Sequence, residues 1–375
     1  MSAVKPIKTA LIGSGEISGI YLKNLSQTFL ITDMVGCSDI IPERSKKRAE
    51  EFGIRQMTNE EILKDPEIKI VVNTTYPKAH YEVSKAALLA DKNVYCEKMI
   101  GVKLEEGKEL VRLAKEKDLL MTMAPDTFLG AGHQTARLAI EAGLIGEPIQ
   151  VLGVCQRGYH LTWASSSENA LQGPGGGIPF DMGGYYLHAM VNFFGPVKRA
   201  TGFAKTRNKI RPFLHPLHPN YMENFEVNTI NNMAAALEFA NGVLGTLVIT
   251  SESIRDKARL EVIGTQGTLT MHDPNDFSGP VVLKRPNCEP CVLPFTHGFS
   301  SNSRGIGVAD MAYALKNNRA PRASADMGLH VFELILGVWS GTETGKIYAP
   351  TTTCSQPKAL RQGDFWFAQE TVLDD

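Results

Sequence analysis

The first third of the chain repeats one rhythm: a short apolar run, then a charged stretch with helical spacing. "TALIG" reads as a strand and "ISGIYLKNLSQ" as a helix; "DMVGCSD" is a second strand and "PERSKKRAEEFG" a helix opened by Pro and closed by Gly. "IKIVVNTT", "AHYEVSKAALLAD", "NVYCEK", "KLEEGKELVRLAKEKD" and "LLMTMAP" continue the series. Strands separated by helices of this length must lie parallel, because each helix is the crossover that returns the chain to the same sheet edge. The result is a βαβ sheet covered on both faces.

After about residue 126 the rhythm changes. "HQTARLAIEAGLIG" is one more amphipathic helix, and "EPIQVLGVCQRG" opens a region of strands. "NMAAALEFANGVLGTLVITSES" predicts a hairpin turning at Asn241-Gly242, and "ARLEVIGTQGTLTMHD" predicts another. "KTRNKIRPFLHPLHPNYMEN" reads as an irregular loop, while "GVADMAYALKNN" and "ADMGLHVFELILGVWSG" are late helices. Two domains are expected in 375 residues. The reading places an α/β domain with a parallel sheet at 1–126. An α+β domain with a mostly antiparallel sheet follows at 127–375.

Charge and composition narrow the partners. The formal net charge is −1, which disfavours nucleic acid and anionic membrane. No apolar run is long enough to span a bilayer, and the N-terminal residues lack a secretory pattern, so the expected location is cytoplasmic. Six cysteines do not make a disulfide scaffold. The pair Cys288-Glu-Pro-Cys291 stands without a second pair or a nearby His, a weak metal signal, and no metal is expected.

Gly13-Ser-Gly15-Glu16-Ile17-Ser18-Gly19 directly follows the first strand. Gly13 permits a tight turn, Gly15 lets a pyrophosphate approach the backbone, and the following helix offers amide donors there. Asp39 ends the second strand, where a carboxylate reads the adenosine ribose and repels a 2′-phosphate. With Arg44 half a turn into the next helix, NAD is favoured over NADP. Asn73, Thr75 and His80 in "NTTYPKAH", and Glu97 and Lys98 in "YCEKMIG", sit at C-terminal strand ends, where such sheets bind ligands. Lys98 suits an acid or an electrostatic partner beside a cofactor. His80 alone is more often a structural residue of a helix N-terminus.

"DMGGYYLH" follows "PGGGIPF". As a helix it carries Asp181, Tyr185 and His188 at i, i+4 and i+7 on one face. That face is either a hydrogen-bonded piece of core or a catalytic surface on which Tyr185 or His188 transfers a proton.

Taken in order, "GSGEISG", "CSD", "NTTYPKAH", "CEKM", "APDTFLGAGHQTARLAIEAGLIGEP", "GGGIPFDMGGYYLHAMVNFFGPVKR" and "RGIGVADMAYAL" resemble the Gfo/Idh/MocA family, from Ala10 to about Leu360. The resemblance implies a Rossmann domain followed by a substrate domain whose large open sheet makes a homodimer or homotetramer interface. Glu97 and Lys98 match the family's Glu-Lys-Pro motif, with Met99 in place of the proline. Asp181 matches the acid of its Asp-x-Gly-x-His motif. Tyr185 holds the histidine position, as in glucose–fructose oxidoreductase and dihydrodiol dehydrogenase, where tyrosine is the acid/base. "WASSSENALQG" departs from the aromatic-rich segment of close relatives and removes a hint of the substrate.

The leading expectation is an NAD-dependent dehydrogenase acting on a secondary alcohol of a sugar, polyol or glycoside, with Lys98, Asp181, Tyr185 and His188 as catalytic candidates. Two other readings stand beside it. One is a non-catalytic NAD-binding regulator of the same fold. The other is redox-assisted glycoside cleavage or epimerisation through transient NADH.

Overall fold

The computed structural model describes residues 5–158, 162, 173 and 175–362, apart from the side chain of Arg255. Residues 163–172, the bulk of "WASSSENALQG", lie outside the described residues. The chain forms two compact units. One gathers the described residues up to Gln134, Phe295–Leu329 and those from Pro357; the other holds Thr135–Pro294 and His330–Gln356. The division expected at 126/127 is a single one, whereas the chain passes between the units after Gln134, Pro294, Leu329 and Gln356.

The first unit contains a six-stranded sheet: β1 (Ile7–Ile12), β2 (Thr32–Ser38), β3 (Arg55–Gln56), β4 (Ile70–Asn73), β5 (Asn93–Cys96) and β6 (Met121–Met123). The order is β3-β2-β1-β4-β5-β6 and every pairing is parallel. β4 and β5 are buried along their whole length, which is why they read as unbroken apolar runs. The crossovers are α1 (Ser18–Gln27), α2 (Pro42–Phe52), α3 (Asn59–Lys64), α4 (Pro77–Leu89) and α5 (Leu104–Glu116). The short β3 and α3 are additions to the expected series. α3 is fixed by a capping box: the Thr58 hydroxyl accepts from Glu61 N–H at 3.1 Å, and the Glu61 carboxylate accepts from Thr58 N–H at 2.7 Å. The order reverses between β1 and β4, which opens a crevice at the carboxyl ends of these strands.

α6 (Ala131–Glu141) begins in the first unit and ends in the second. The second unit is built on eight strands ordered β16-β15-β14-β13-β7-β12-β11-β8. These are β7 (Pro148–Gly158), β8 (Val197–Lys205), β11 (Asn232–Phe239), β12 (Leu244–Thr250), β13 (Glu252–Gly264), β14 (Thr268–Met271), β15 (Val281–Lys284) and β16 (Cys291–Leu293). Only β7 and β12 run parallel. β11 and β12 form the hairpin expected from Asn241-Gly242, with Gly242 at φ +91°, and β13 and β14 form the second. The segment expected to be an irregular loop contains strand β9 (Ile210–Pro212), which pairs with β10 (Asn224–Glu226). Phe213, Phe225 and Val227 give this ribbon a small core, a contact between distant residues that no local pattern announces.

α7 (Gly184–Phe194), every residue of it buried, follows one π-helical turn at Pro179–Gly183. α8 (Ile306–Asn317) belongs to the first unit, and α9 (Ala325–Thr344) runs from the first into the second. The sheet's other face is open. Phe203, Ala234 and Val248 lie side by side across β8, β11 and β12, with Phe203 69% and Val248 42% exposed. Among the described residues no helix is long and apolar enough to cross a membrane. Nor is there a cluster of three or more His, Cys, Asp or Glu able to hold a metal ion.

Candidate active site

The glycine-rich turn is shaped from both sides. Gly13 has φ +102°, and a Cβ there would lie 2.6 Å from the Thr75 amide nitrogen, so only glycine fits. Its amide donates to the Ser38 carbonyl (2.9 Å) and its carbonyl accepts from the Thr74 hydroxyl (2.7 Å), which ties the turn to β2 and β4. A Cβ on Gly15 would meet nothing within 4 Å, so the backbone faces open space. Asp39 is half-buried at the end of β2; its carboxylate accepts from Ser14 N–H (2.7 Å) and Ile41 N–H (2.8 Å). The residue expected to read a ribose therefore also fixes the turn, with lone pairs left over for a ligand hydroxyl. Arg44 is exposed, as is Glu16. Ile17 is 38% exposed.

Arg48 escaped the sequence reading. One turn beyond Arg44, it donates to the Ser18 hydroxyl (3.2 Å) and to the Gly15 and Glu16 carbonyls (3.4 Å each) and pairs with Glu51 (2.6 Å). It braces the turn from outside. Its only sequence signal is its spacing from Arg44 on α2.

At the β4 end, Asn73 and His80 spend their polar atoms inside the protein. Asn73 donates to the His80 carbonyl (3.1 Å) and the Ser84 hydroxyl (3.0 Å), and accepts from the Thr75 hydroxyl (2.6 Å). His80 is fully buried, its ring nitrogens against the Met99 and Thr75 carbonyls. Thr75 is half-buried.

At the β5 end, Lys98 is half-buried and Glu97 is 8% exposed. Glu97 accepts from Lys98 N–H (3.0 Å) and from the Tyr21 hydroxyl (2.6 Å), which lies 3.1 Å from the Tyr95 hydroxyl. Burial first, and then the carboxylates, push both tyrosines well above their ordinary pKa, so they stay protonated and able to donate. Asp126 completes this network and accepts from the Gly305 and Gly307 amides (3.0 Å each) at the start of α8. Burial raises its carboxyl. Glu97 is thus a brace beneath Lys98. Tyr21 and Asp126 were invisible in the sequence because 76 residues separate Tyr21 from Glu97.

In the second unit "DMGGYYLH" is helical from Gly184, with Asp181 half-buried in the preceding π turn. Tyr185 is 7% exposed. His188 is 3% exposed, and its Nδ1 lies 2.8 Å from the Gly184 carbonyl, so Nδ1 carries the proton. Burial lowers its pKa to about 4. Tyr186 donates to the Val154 carbonyl (2.9 Å). Cys155 on β7 is pushed up to about 12 by burial, with Asp273 and Asp181 adding to the effect. Two residues on, and so on the same face of β7, Arg157 pairs with buried Asp273. Arg157 and Asp273 form a charged pair that the sequence reading missed.

The residues present fit a dinucleotide: a glycine turn open to space, a helix N-terminus behind it and a strand-end carboxylate. Two family models match the chain. The oxidoreductase family with an NAD-binding Rossmann fold covers residues 7–124, and the GFO/IDH/MocA C-terminal domain covers 133–270. An uncharacterised oxidoreductase of Schizosaccharomyces pombe is 32% identical over 212 residues, 55% of this chain and 57% of that protein. The chain thus matches a little over half the length of that relative. The inositol 2-dehydrogenase/D-chiro-inositol 3-dehydrogenase of Lactiplantibacillus plantarum is 28% identical over 43% of this chain and 47% of its own. A levoglucosan dehydrogenase solved with NADH superposes with a TM-score of 0.79 at 18% identity, covering 92% of this chain and 99% of that one, a likeness of fold. With both family domains matched in order on a parallel NAD-binding sheet and a large mixed sheet, the chain belongs to the Gfo/Idh/MocA family of oxidoreductases.

Proposed function

We propose that this protein is an NAD-dependent dehydrogenase that oxidises a secondary alcohol of a sugar, polyol or glycoside. The observation that carries the reading is Lys98, held half-buried at the end of β5 on a braced Glu97, in a unit whose glycine turn suits a dinucleotide. When bound, nicotinamide supplies the hydride acceptor. The protein's own task is then to hold the alcohol and take its proton. Tyr185 is the acid/base, because it occupies the family's position for that role. Lys98 stabilises negative charge on the reacting oxygen, and Asp181 orients the polar groups of its own unit. A proton transfer of this kind contributes roughly 10²–10⁴-fold. Asp39 favours NAD over NADP.

A panel of sugars, polyols and glycosides with NAD or NADP, followed at the NADH absorbance band, tests the reading. At least one substrate is expected to turn over, and Lys98→Met to lower kcat by about 10²-fold or more with NAD affinity within a few-fold. Binding of NAD without turnover of any substrate would point instead to a regulator of the same fold.

A further inference from the structure

We propose that His80 is held as an imidazolium that clasps the β4 and β5 loops together and so sets the place of Lys98. It would be a positioning residue that never touches the cofactor. The inference deepens the dehydrogenase reading, since it gives Lys98 a purpose worth positioning.

His80 Nδ1 lies 2.6 Å from the Met99 carbonyl oxygen and Nε2 lies 2.9 Å from the Thr75 carbonyl oxygen. Carbonyl oxygens only accept. A neutral imidazole has one N–H, so one of these contacts would press lone pair against lone pair; the cation donates to both. The ring is fully buried, so no solvent can relieve the mismatch.

The setting is otherwise poor for a cation. His80 stands in the first turns of α4, where the helix dipole disfavours positive charge. Burial also opposes the charge, but the Cys96 sulfur and the two carbonyls outweigh it and raise the pKa to about 9. Cys96 on β5 is the ionisable side chain facing the ring; the Thr75 and Met99 groups that meet it carry no titratable side chain.

The clasp has a clear span. Thr75 lies two residues past the end of β4, and Met99 immediately follows Lys98. β4 and β5 are neighbours in the sheet, so one ring ties two adjacent strand ends. Asn73 closes the circuit by holding the His80 carbonyl and the Thr75 hydroxyl. The lock is therefore charge-dependent: complete below about pH 6.5, the unfolded-state value, and lost as pH rises through about 9.

The test uses the full chain without cofactor. Ring-nitrogen NMR of His80 at about pH 7 should show both nitrogens protonated. Amide exchange at Met99–Gly101 should then rise as pH climbs past the His80 transition, beyond the intrinsic base-catalysed increase. Neither measurement needs turnover, so failure of the dehydrogenase reading leaves them decisive. A ring with one bare nitrogen at neutral pH overturns the proposal, and so does exchange that ignores the transition. With a substrate in hand, His80→Gln, whose single amide nitrogen cannot stand at both ring-nitrogen positions, should lower kcat about 10-fold or more while NAD Kd stays within about three-fold. A variant whose loss lies in NAD Kd would make His80 a cofactor ligand instead. If His80→Gln does not fold, the wild-type NMR and exchange data decide alone.

Discussion

Asp39 does two jobs that pull on the same carboxylate. It accepts from Ser14 and Ile41 amides, which fixes the glycine turn, and under the proposed function it also reads the ribose. A 2′-phosphate there meets a like charge whose cost runs to several kcal/mol. The expected outcome is a kcat/KM for NAD at least about 10-fold above that for NADP. Asp39→Ala should narrow the gap while weakening both cofactors, because Ser14 N–H loses its partner; equal values in the wild type would refute the role. His188 and Tyr185 separate in the same way. His188 holds its Nδ1 proton on Gly184 and has a pKa of about 4. An activity limb near pH 6.5, the ordinary histidine value, is therefore not expected from it. Tyr185→Phe should lose about 10²-fold in kcat, and His188→Asn should leave the pH–rate profile unshifted. Because the folded pKa lies below the unfolded one, unfolding takes up a proton between about 6.5 and 4. His188 thus lowers stability as pH falls through that window.

At the scale of elements, buried polar groups hold the joints. On α9, Glu333 is fully buried and accepts from the Tyr348 hydroxyl (2.8 Å), Thr351 N–H (2.9 Å) and hydroxyl (2.7 Å), and Thr352 N–H (2.8 Å). Burial alone would raise its carboxyl, but hydrogen bonding from the Thr352 side chain, from the Thr351 amide and hydroxyl and from the Tyr348 hydroxyl lowers it to about 2. Beside it His330 accepts from Val197 N–H (3.0 Å) and so donates from Nδ1 to the Thr352 carbonyl (3.0 Å), which makes it neutral. The segment after α9 is thereby pinned along the helix. Glu333 contributes stability above its ordinary 4.5 that is lost as pH falls toward about 2. Glu333→Gln should lower the Tm at neutral pH and flatten the fall of Tm with acid. A variant as stable as the wild type at neutral pH, with the same acid slope, would show that the pin contributes nothing.

Over the whole molecule, the open face of the large sheet invites a partner copy. The row Phe203–Ala234–Val248 is apolar and exposed. We expect a dimer or tetramer by light scattering, and Phe203→Asp should shift it toward the monomer with the fold intact by circular dichroism. A wild-type monomer at all concentrations would leave this face without that role.

The sequence by itself determined the parallel sheet, the glycine turn, Asp39 at the end of β2 and both hairpins. Each rests on neighbours in the chain: a period of apolar residues, a turn dipeptide, a residue at the end of a run. It read all of "DMGGYYLH" as one helix, whereas Asp181, Met182 and Gly183 lie in a π turn and the α-helix starts at Gly184. Only the tertiary structure decided which polar residues are spent on partners inside the protein. Asn73 and His80 sit in a strand-end motif, but their partners, Ser84 and the Thr75 and Met99 carbonyls, come from different elements. Arg48, Tyr21 and Asp126 stayed hidden for the same reason. A hydrogen bond between residues far apart in the chain leaves no period in the sequence, because its geometry is set by how the strands order themselves in the sheet.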